Sequence, residues 1–260
     1  MTEKKIFYYT DEVNEDFSGI KREKYHIDSD YKYIHTNHAY RFFTFIVYRI
    51  IMTPVAWLHL KIKFNTKFVN KSCIKEVAKR DGYFLFGNHT NIPTDGYIPT
   101  MICSPSRRSY DIVSAENMAV KGTRTFMKMV GALPLPDGFK SMKNFMKAIQ
   151  QKIDEGQVIT IYPEAHIWPY YTKIRNYKSD SFRFPCRHNS ASFCFTTTYQ
   201  KRKLIKRPRI VVYVDGPFYP NKELNGSEQK QELRDKIYKT MVERSKNSNC
   251  EYYIYRKKEN

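Results

Sequence analysis

His89 and Asp95 are the pair of residues best suited to general-base chemistry. They lie in the stretch Phe84–Tyr97 (FLFGNHTNIPTDGY), in which an apolar run ends at Gly87. A carboxylate that accepts a hydrogen bond from one imidazole nitrogen leaves the other nitrogen free to take a proton. Pro93 favours the start of a helix, so the two side chains can meet across a tight turn. The alternative is that Asp95 only stabilises the positive end of that helix.

Glu164 is a second carboxylate in a position that suits a functional site. It follows the apolar run Val158–Tyr162 and Pro163. Buried parallel strands appear in sequences as short apolar runs, and the sites of open α/β sheets lie beyond the carboxyl ends of such strands. His89 also follows an apolar run, Tyr83–Gly87, so we expect both side chains at one edge of a sheet. The alternative for Glu164 is an ion pair with a nearby lysine.

Strand-like and helix-like segments alternate along the chain, and this alternation predicts the sheet that must position these side chains. The other strand candidates are Tyr110–Ser114, Ser192–Tyr199 and Ile210–Val214. Glu228–Ser245 and, more weakly, Asn117–Val130 are helix candidates. A further apolar helix face is formed at spacings of three and four by Phe139, Met142, Phe145, Met146, Ile149 and Ile153. The pattern predicts an α/β fold with a mainly parallel central sheet flanked by helices.

One segment of the chain is apolar enough to associate with a membrane. Arg41–Leu60 (RFFTFIVYRIIMTPVAWLHL) is interrupted by Pro54 and followed by Lys61 and Lys63. Aromatic residues beside lysines are typical of membrane interfaces, so we predict a membrane-associated helical hairpin that turns at Pro54. The alternatives are a buried helix pair in a soluble core and a segment that spans the membrane fully. The predicted division of the chain is a polar segment at 1–35, the hairpin at 36–68 and the α/β domain at 69–260.

The charge of the chain indicates an anionic partner. Lys and Arg number 45 against 26 Asp and Glu, which gives a formal net charge of +19. Nucleic acid, an anionic membrane surface and an acidic carrier protein all fit such an excess. The basic residues are spread along the chain and match no RNA-binding signature, so no nucleic acid partner is expected.

The cysteines and the N-terminus indicate a reducing compartment. The 5 cysteines include no CxxC pair, which argues against a disulfide framework and against a metal site. The first residues, MTEKKIFYYTDEVNEDF, are charged and contain no apolar signal-peptide core. We therefore expect an intracellular protein without a metal ion.

The order of the motifs resembles that of the glycerolipid acyltransferases, the membrane-bound enzymes of the 1-acylglycerol-3-phosphate acyltransferase type. That family has Asn-His, four residues and Asp, then Gly-x-x-Phe-Ile-x-Arg, then Phe-Pro-Glu-Gly-Thr. The corresponding segments here are Asn88–Asp95, Gly131–Asp137 and Tyr162–His166. Later strands are expected from Phe184-Pro185 onward and at Pro208–Phe218. The resemblance covers roughly residues 80–220.

The resemblance implies transfer of a fatty acyl group from a thioester donor, acyl-CoA or acyl carrier protein, to a hydroxyl of a lysophospholipid or related lipid. His89 would take the hydroxyl proton and Asp95 would orient the imidazole. Backbone N–H groups after Pro93 would stabilise the oxyanion. The expected location is the cytoplasmic face of a membrane, as a peripheral or monotopic protein that needs no cofactor. Substrate contacts are expected from Asn88, Gly131, Pro163, Glu164 and His166.

Departures from the family pattern bear on the acceptor. Five residues, not four, separate His89 from Asp95, and Ala165-His166 replaces Gly-Thr. Asp137 stands where the family has an arginine, and a carboxylate there would repel a phosphate monoester such as lysophosphatidate. We expect His166 to supply a hydrogen-bond donor in place of that arginine.

Several basic and aromatic residues admit two interpretations. Trp168–Tyr171 either lines an acyl groove or forms a packed loop. The cationic candidates either hold an anionic substrate or form a solvated basic face; they are Arg107, Arg108, Lys121, Arg124, Lys128, Lys140 and Lys173. At the level of the whole protein, the alternative to an enzyme is a lipid-binding protein of the same fold without catalytic activity.

Overall fold

A seven-stranded sheet lies at the centre of the computed structural model, which describes residues 4–20, 23–120 and 122–258. The strands in these residues are β1 (Ile6–Tyr9), β2 (Lys67–Val69), β3 (Tyr83–Gly87), β4 (Ser109–Val113), β5 (Ala132–Pro134), β6 (Val158–Ile161), β7 (Ser192–Gln200), β8 (Arg209–Phe218) and β9 (Ile254–Lys257). The central sheet has the order β2-β8-β7-β3-β6-β4-β5, and β1 pairs with β9 in a separate parallel sheet.

The central sheet is mainly parallel, as predicted. Strands β7, β3, β6, β4 and β5 run in one direction. Strand β8 is antiparallel to β7, and β2 is parallel to β8. All five residues of β3 are buried, because helices cover both faces of the sheet. Leu85 packs in one core with Ile98, and the next residue along, Phe86, packs in the opposite core with Phe145.

The helices fill the connections between the parallel strands. Helix Thr94–Cys103 follows β3, and helix Phe139–Asp154 leads into β6. The other α-helical segments are Lys75–Arg80, Arg124–Val130, Arg183–His188 and Gly226–Ser245, with 3-10 turns at Lys71–Ile74, Ala115–Met118 and Asp180–Phe182. This alternation of strands and helices confirms the predicted α/β class.

The predicted membrane segment is one helix, His38–Lys63, which continues through Pro54 instead of turning there. Met52 and Thr53 both have right-handed helical backbone angles. Ile46–Met52 and His59–Lys63 are wound as π-helix. Because Pro54 has no N–H and its ring crowds the preceding turn, a wider winding before it lets the helix continue where we expected a hairpin.

One side of this helix is apolar and uncovered. By length and composition it could cross a membrane, yet only 22% of its most apolar stretch is buried against the protein. Thr44, Tyr48, Ala56 and Leu60 face the protein. The exposed apolar residues are Phe42, Phe43, Phe45, Ile50, Ile51, Val55, Trp57, Leu58 and Ile62. A surface of this kind marks an interaction site on a protein.

Three local expectations from the sequence were wrong. Phe184-Pro185 begins no strand but lies in the helix Arg183–His188, and β7 starts only at Ser192. Phe139 belongs to the apolar pattern of its helix but is the first residue of that helix and is 94% exposed. The helix expected at Asn117–Val130 is divided into a 3-10 turn and a shorter helix. The Phe139 error lies at the end of a helix, where periodicity carries little information.

Candidate active site

His89 and Asp95 meet beyond the carboxyl end of β3. The Nδ1 atom of His89 lies 2.8 Å from Oδ2 of Asp95. The Asp95 side chain is 4% exposed and the His89 side chain 19% exposed. Among the residues that the structure describes, none hydrogen-bonds Nε2 of His89, so that nitrogen is available to an incoming group. The extra residue in the turn does not prevent the carboxylate from reaching the imidazole.

Asp95 orients the histidine and also closes the start of a helix. Its Oδ2 atom accepts hydrogen bonds from the backbone N–H groups of Thr90 (2.7 Å) and Asn91 (2.8 Å). It is the second residue of the helix Thr94–Cys103, where a negative charge is favourable. One carboxylate therefore makes the contacts that both interpretations of Asp95 require.

Two of the backbone N–H groups after Pro93, where an oxyanion contact was expected, donate to carbonyl groups of the turn itself. The N–H of Asp95 donates to the carbonyl of Asn91 (2.7 Å), and that of Gly96 donates to the carbonyl of Pro93 (3.1 Å). The N–H of His89 donates to Oε2 of Glu164 (3.2 Å). These N–H groups hold the turn in place and are not free for a substrate oxygen.

Tyr162 contacts both members of the His89–Asp95 pair. Its ring stacks on the His89 imidazole, with centroids 4.4 Å apart and an angle of 23° between planes. Its hydroxyl donates to the backbone carbonyl of Asp95. Burial, followed by the charges of Asp95 and Asp111, raises the pKa of Tyr162, so the phenol remains a neutral donor.

Glu164 forms a buried ion pair with Arg175, a residue that the sequence gave no reason to select. Nη2 of Arg175 lies 3.3 Å from Oε2 of Glu164, and the backbone N–H of Arg175 donates to Oε1 (3.1 Å). The two side chains are 0% and 1% exposed. Burial raises the pKa of Glu164, and the Arg175 charge opposes that rise. Because Glu164 also accepts the His89 N–H, it ties the two loops of the site together.

The loop that carries Glu164 is a tight turn. The N–H of Ala165 donates to the carbonyl of Tyr162 (3.0 Å), with Pro163 in the second position of the turn, which its fixed φ suits. Ala165 has φ +61°, in the left-handed region. The family pattern has glycine at that position. Glycine adopts this conformation without strain, and Ala165 adopts the same conformation although it carries a Cβ atom.

Asn88 and Gly131 lie where the backbone needs them. The Asn88 amide donates to the carbonyl of Thr197 (3.1 Å) and accepts from its N–H (2.8 Å), so it fastens β3 to β7. Gly131 ends a helix with φ +108°, and a Cβ there would come within 2.5 Å of the Ser109 carbonyl oxygen. The structure thus gives both residues a role in positioning the backbone; the substrate contact of each stays a prediction.

His166 and Asp137 form hydrogen bonds with segments other than the His89–Asp95 turn. The His166 carbonyl accepts a hydrogen bond from Arg175. Asp137 accepts the N–H of Ile27 (2.7 Å) and lies 3.4 Å from Nδ1 of His26. The carboxylate that replaces the family arginine thus tethers the N-terminal segment to the end of β5.

The remaining basic and aromatic candidates divide between packing and surface. Trp168 is fully buried, and its backbone N–H donates to the His89 carbonyl (3.2 Å). Trp168–Tyr171 is therefore a packed loop. Nε of Arg107 donates to the Ala78 carbonyl (2.8 Å), and Nε of Arg124 to the Met118 carbonyl (2.8 Å). Lys140 and Lys173 are exposed, and Lys121 lies outside the described residues. Arg108 and Lys128 line a separate cavity.

Asp111 is a further acidic residue near the dyad that sequence reasoning missed. Its Oδ1 atom accepts a hydrogen bond from Ser109 Oγ (2.6 Å), which also lies 2.7 Å from Thr160 Oγ1. Burial raises the pKa of Asp111 to about 7, against the lowering effects of Ser109, Thr160 and the His89 charge. A carboxyl group that is half protonated near neutral pH therefore lies within electrostatic reach of His89.

Asp111→Asn is expected to stabilise the protein at alkaline pH. Because the pKa of Asp111 is about 7 in the folded state, above the ordinary 3.8, the folded protein holds this proton more tightly than the unfolded chain. Ionisation therefore costs stability as the pH rises through that window. We expect a gain of roughly 1–4 kcal/mol at about pH 8 that disappears near pH 4. Urea unfolding of both proteins at several pH values measures the gain, and one that does not vary with pH contradicts this account.

Comparison with known proteins bears on the family and on the fold. Residues 68–194 match the family model described as Acyltransferase. The fold is similar to the crystal structure of the 1-acyl-sn-glycerophosphate (LPA) acyltransferase PlsC from Thermotoga maritima, with a TM-score of 0.54 and 12% sequence identity. The similarity covers 83% of this chain and 86% of that chain. No curated protein matches the sequence. The family match confirms the resemblance predicted from the motifs, and the structural match confirms the fold.

Proposed function

Because residues 68–194 carry a domain of the acyltransferase family, we propose that this chain is a membrane-associated acyltransferase. It moves a fatty acyl group from a thioester, acyl-CoA or acyl carrier protein, to a hydroxyl of a lysophospholipid or related lipid. The observation that carries the proposal is the 2.8 Å contact between Nδ1 of His89 and Asp95, with no hydrogen bond to Nε2 from the residues that the structure describes. That pair is the arrangement a general base requires.

The proposed reaction needs no nucleophile from the protein. Nε2 of His89 takes the proton of the acceptor hydroxyl as its oxygen attacks the thioester carbonyl. Asp95 accepts a hydrogen bond from Nδ1–H and stabilises the imidazolium that forms. The tetrahedral intermediate collapses by breaking the carbon–sulfur bond, and the imidazolium returns its proton to the departing thiolate. The products are an ester and a free thiol.

The N-terminal helix supports a location at the membrane. Its uncovered apolar side contains Trp57 and Ile62, which are 55% and 74% exposed. The same helix packs on the helix that carries Asp95, and the rings of His59 and Tyr97 lie 5.2 Å apart. If the apolar side lies in the bilayer interface, the entrance to His89 faces the lipid from which the acceptor comes. We assign the site to the cytoplasmic face, where soluble acyl carriers are found.

The identity of the acceptor is set partly by charge. Asp137 replaces the family arginine and tethers the N-terminal segment, so it supplies no cation for a phosphate monoester. The Glu164 carboxylate is occupied by Arg175 and by the His89 N–H. We therefore expect acceptors without a terminal phosphate to react better than lysophosphatidate.

Product analysis tests the proposed function directly. Purified protein is incubated with acyl-CoA, or with acyl carrier protein in a parallel series, and with lysophosphatidate, lysophosphatidylcholine and a long-chain alcohol. Acylated products are followed by mass spectrometry in wild type, His89→Ala and His26→Ala; His26 is a matched control because its side chain is 83% exposed. We expect product in wild type and His26→Ala alone. No product with either donor would favour the non-catalytic lipid-binding alternative.

Tyr162→Phe is expected to slow transfer without unfolding the protein. The variant keeps the ring that stacks on His89 but loses the hydroxyl that holds the Asp95 carbonyl. Loss of one positioning contact is expected to lower kcat roughly tenfold, with little change in KM. Steady-state kinetics measures both constants, and Tyr219→Phe, with a 53% exposed side chain, is the control. An unchanged kcat would show that the hydroxyl does not position the dyad.

A further inference from the structure

A cavity of about 410 Å³ lies at the amino ends of the parallel strands, whereas His89 lies beyond their carboxyl ends. Arg108 and Gln157, which line it, precede β4 and β6, and the Val158 N–H donates to the Arg108 carbonyl (3.0 Å). His89 and Glu164 follow the other ends of the parallel strands β3 and β6. The cavity is therefore separate from the candidate active site. Its volume is in the range of small-ligand sites.

The walls of this cavity are strongly basic. Six cationic side chains are among its lining residues, against one carboxylate, Glu155. Within the described residues only Lys152 of the six has a carboxylate partner, Glu155 at 2.7 Å. The six are Lys32, Arg41, Arg49, Arg108, Lys128 and Lys152. Six cations with a single counter-charge among the lining residues indicate an anionic ligand.

Arg108 is held ready for such a ligand. Its guanidinium lies between the rings of Tyr48 and Tyr110, 4.6 Å from each centroid. Nη2 donates to the Met129 carbonyl (2.6 Å), while the buried Nε has no hydrogen-bond partner in the part of the chain that the structure describes. A fixed guanidinium with an unused donor is suited to phosphate recognition.

Two more groups of the cavity, His35 and Lys128, are affected by burial and by neighbouring cations. Nε2 of His35 is buried and unpartnered within residues 4–20, 23–120 and 122–258. Burial, together with the charges of Lys128, Lys32 and Lys152, lowers the pKa of His35. Partial burial and the Arg124 charge lower the pKa of Lys128, whose ammonium lies 4.3 Å from the Tyr31 ring centroid. An anion between these groups would relieve both repulsion and desolvation.

The neighbouring surface identifies the kind of anion. Arg41, Thr44 and the partly exposed Phe45 line the cavity, and Phe42 and Phe43 lie beside them on the uncovered side of the N-terminal helix. We propose that this cavity binds the phosphate-bearing headgroup of an anionic phospholipid, whose acyl chains lie along that apolar side. A free phosphate ester would use the cations and leave the apolar side uncovered. The inference rests on the membrane association proposed above and requires no catalytic activity.

Lipid binding by matched charge variants tests this inference. Lys32→Gln/Lys128→Gln removes two cavity charges, and Lys203→Gln/Lys222→Gln removes two exposed charges elsewhere. Binding to phosphatidylcholine vesicles with and without phosphatidylglycerol is measured for both pairs and for wild type. We expect the cavity pair to weaken binding to the phosphatidylglycerol vesicles about tenfold or more, and the control pair less than about threefold. Equal losses in the two pairs would overturn the proposal, because they would indicate only the general charge of the surface.

A soluble lipid separates the site from the membrane and from catalysis. Dihexanoyl-phosphatidylglycerol, kept below its micelle concentration, is expected to shift the His35 imidazole resonances and raise the pKa of His35. Dihexanoyl-phosphatidylcholine and inorganic phosphate are expected to do neither; an equal shift with inorganic phosphate assigns the cavity to free phosphate and overturns the lipid proposal. His89→Ala should bind the lipid like wild type even if no acyl transfer is found in any protein. Loss of binding in His89→Ala would place the ligand at the dyad and refute a separate site.

Discussion

His89→Ala is expected to lower the rate of acyl transfer by about 10²–10⁴-fold, the range that a positioned general base contributes. The reason is geometric: with Nδ1 fixed 2.8 Å from Asp95, only Nε2 can receive the acceptor proton. Single-turnover measurements with saturating donor isolate the chemical step. KM for the acceptor is expected to change little, because the imidazole acts on the reacting hydroxyl and not on the rest of the lipid.

Asp95→Asn distinguishes orientation from charge. The three donors to Oδ2 can all bond the amide oxygen, so the turn is expected to survive. The amide nitrogen would then occupy the position of Oδ1, which is buried without a partner within the described residues. What is lost is the negative charge that stabilises the imidazolium, and we expect a smaller loss of kcat than in His89→Ala. If Asp95→Asn retains full activity at every pH, the carboxylate serves the helix alone.

The parts of the site predicted from the sequence are those with local signals. The apolar runs of β3 and β6 end at Gly87 and Ile161, and side chains that follow such strands must meet at one edge of the sheet. His89 and Asp95 are joined by a turn of five residues, so their contact depends on little else in the fold. Short-range geometry of this kind is readable from residue types and spacing.

The parts that were missed depend on contacts between distant segments. Arg175 lies in a loop without periodicity, and only the folded chain shows that its guanidinium enters the core beside Glu164. Asp137 was considered for its effect on a substrate phosphate, whereas its carboxylate holds the backbone of Ile27. The pairing of β1 with β9 joins the two ends of the described chain. A sequence window contains only one partner of each of these contacts.

The N-terminal helix shows a different limit. Pro54 predicts a break, because proline removes a hydrogen bond and crowds the preceding turn. The π-helical segment Ile46–Met52 before it changes the hydrogen-bond pattern, so that a continuous helix results. Hydropathy identified the segment correctly, but the path of the chain through Pro54 was decided by local winding that composition does not encode.

Arg175→Met is expected to lower the free energy of unfolding by about 3–5 kcal/mol, the largest stability effect in the site. The substitution leaves the Glu164 carboxylate buried, with only two backbone N–H donors, those of His89 and Arg175 itself. The unfolding midpoint should fall by roughly 6–20 °C. Because the stranded carboxylate regains stability by binding a proton, the deficit should shrink as the pH is lowered.

Two further variants decide whether charge pairing causes this loss. Lys79→Met removes a cation whose partner, Glu76, is equally exposed, and should change stability by less than about 1 kcal/mol. Glu164→Gln/Arg175→Met removes both charges and keeps an acceptor for the His89 N–H, so it should recover about 2 kcal/mol or more of the loss. If the double variant is no more stable than Arg175→Met, the loss does not come from an unpaired carboxylate. It then comes from the other contacts of Arg175, namely its hydrogen bonds to the carbonyls of Glu12, Glu164 and His166 and its packing on Trp168, 5.0 Å from the guanidinium. In that case the backbone N–H donors would be enough to stabilise the Glu164 charge, and the hydrogen bond from His89 to Glu164 would not depend on the Arg175 side chain.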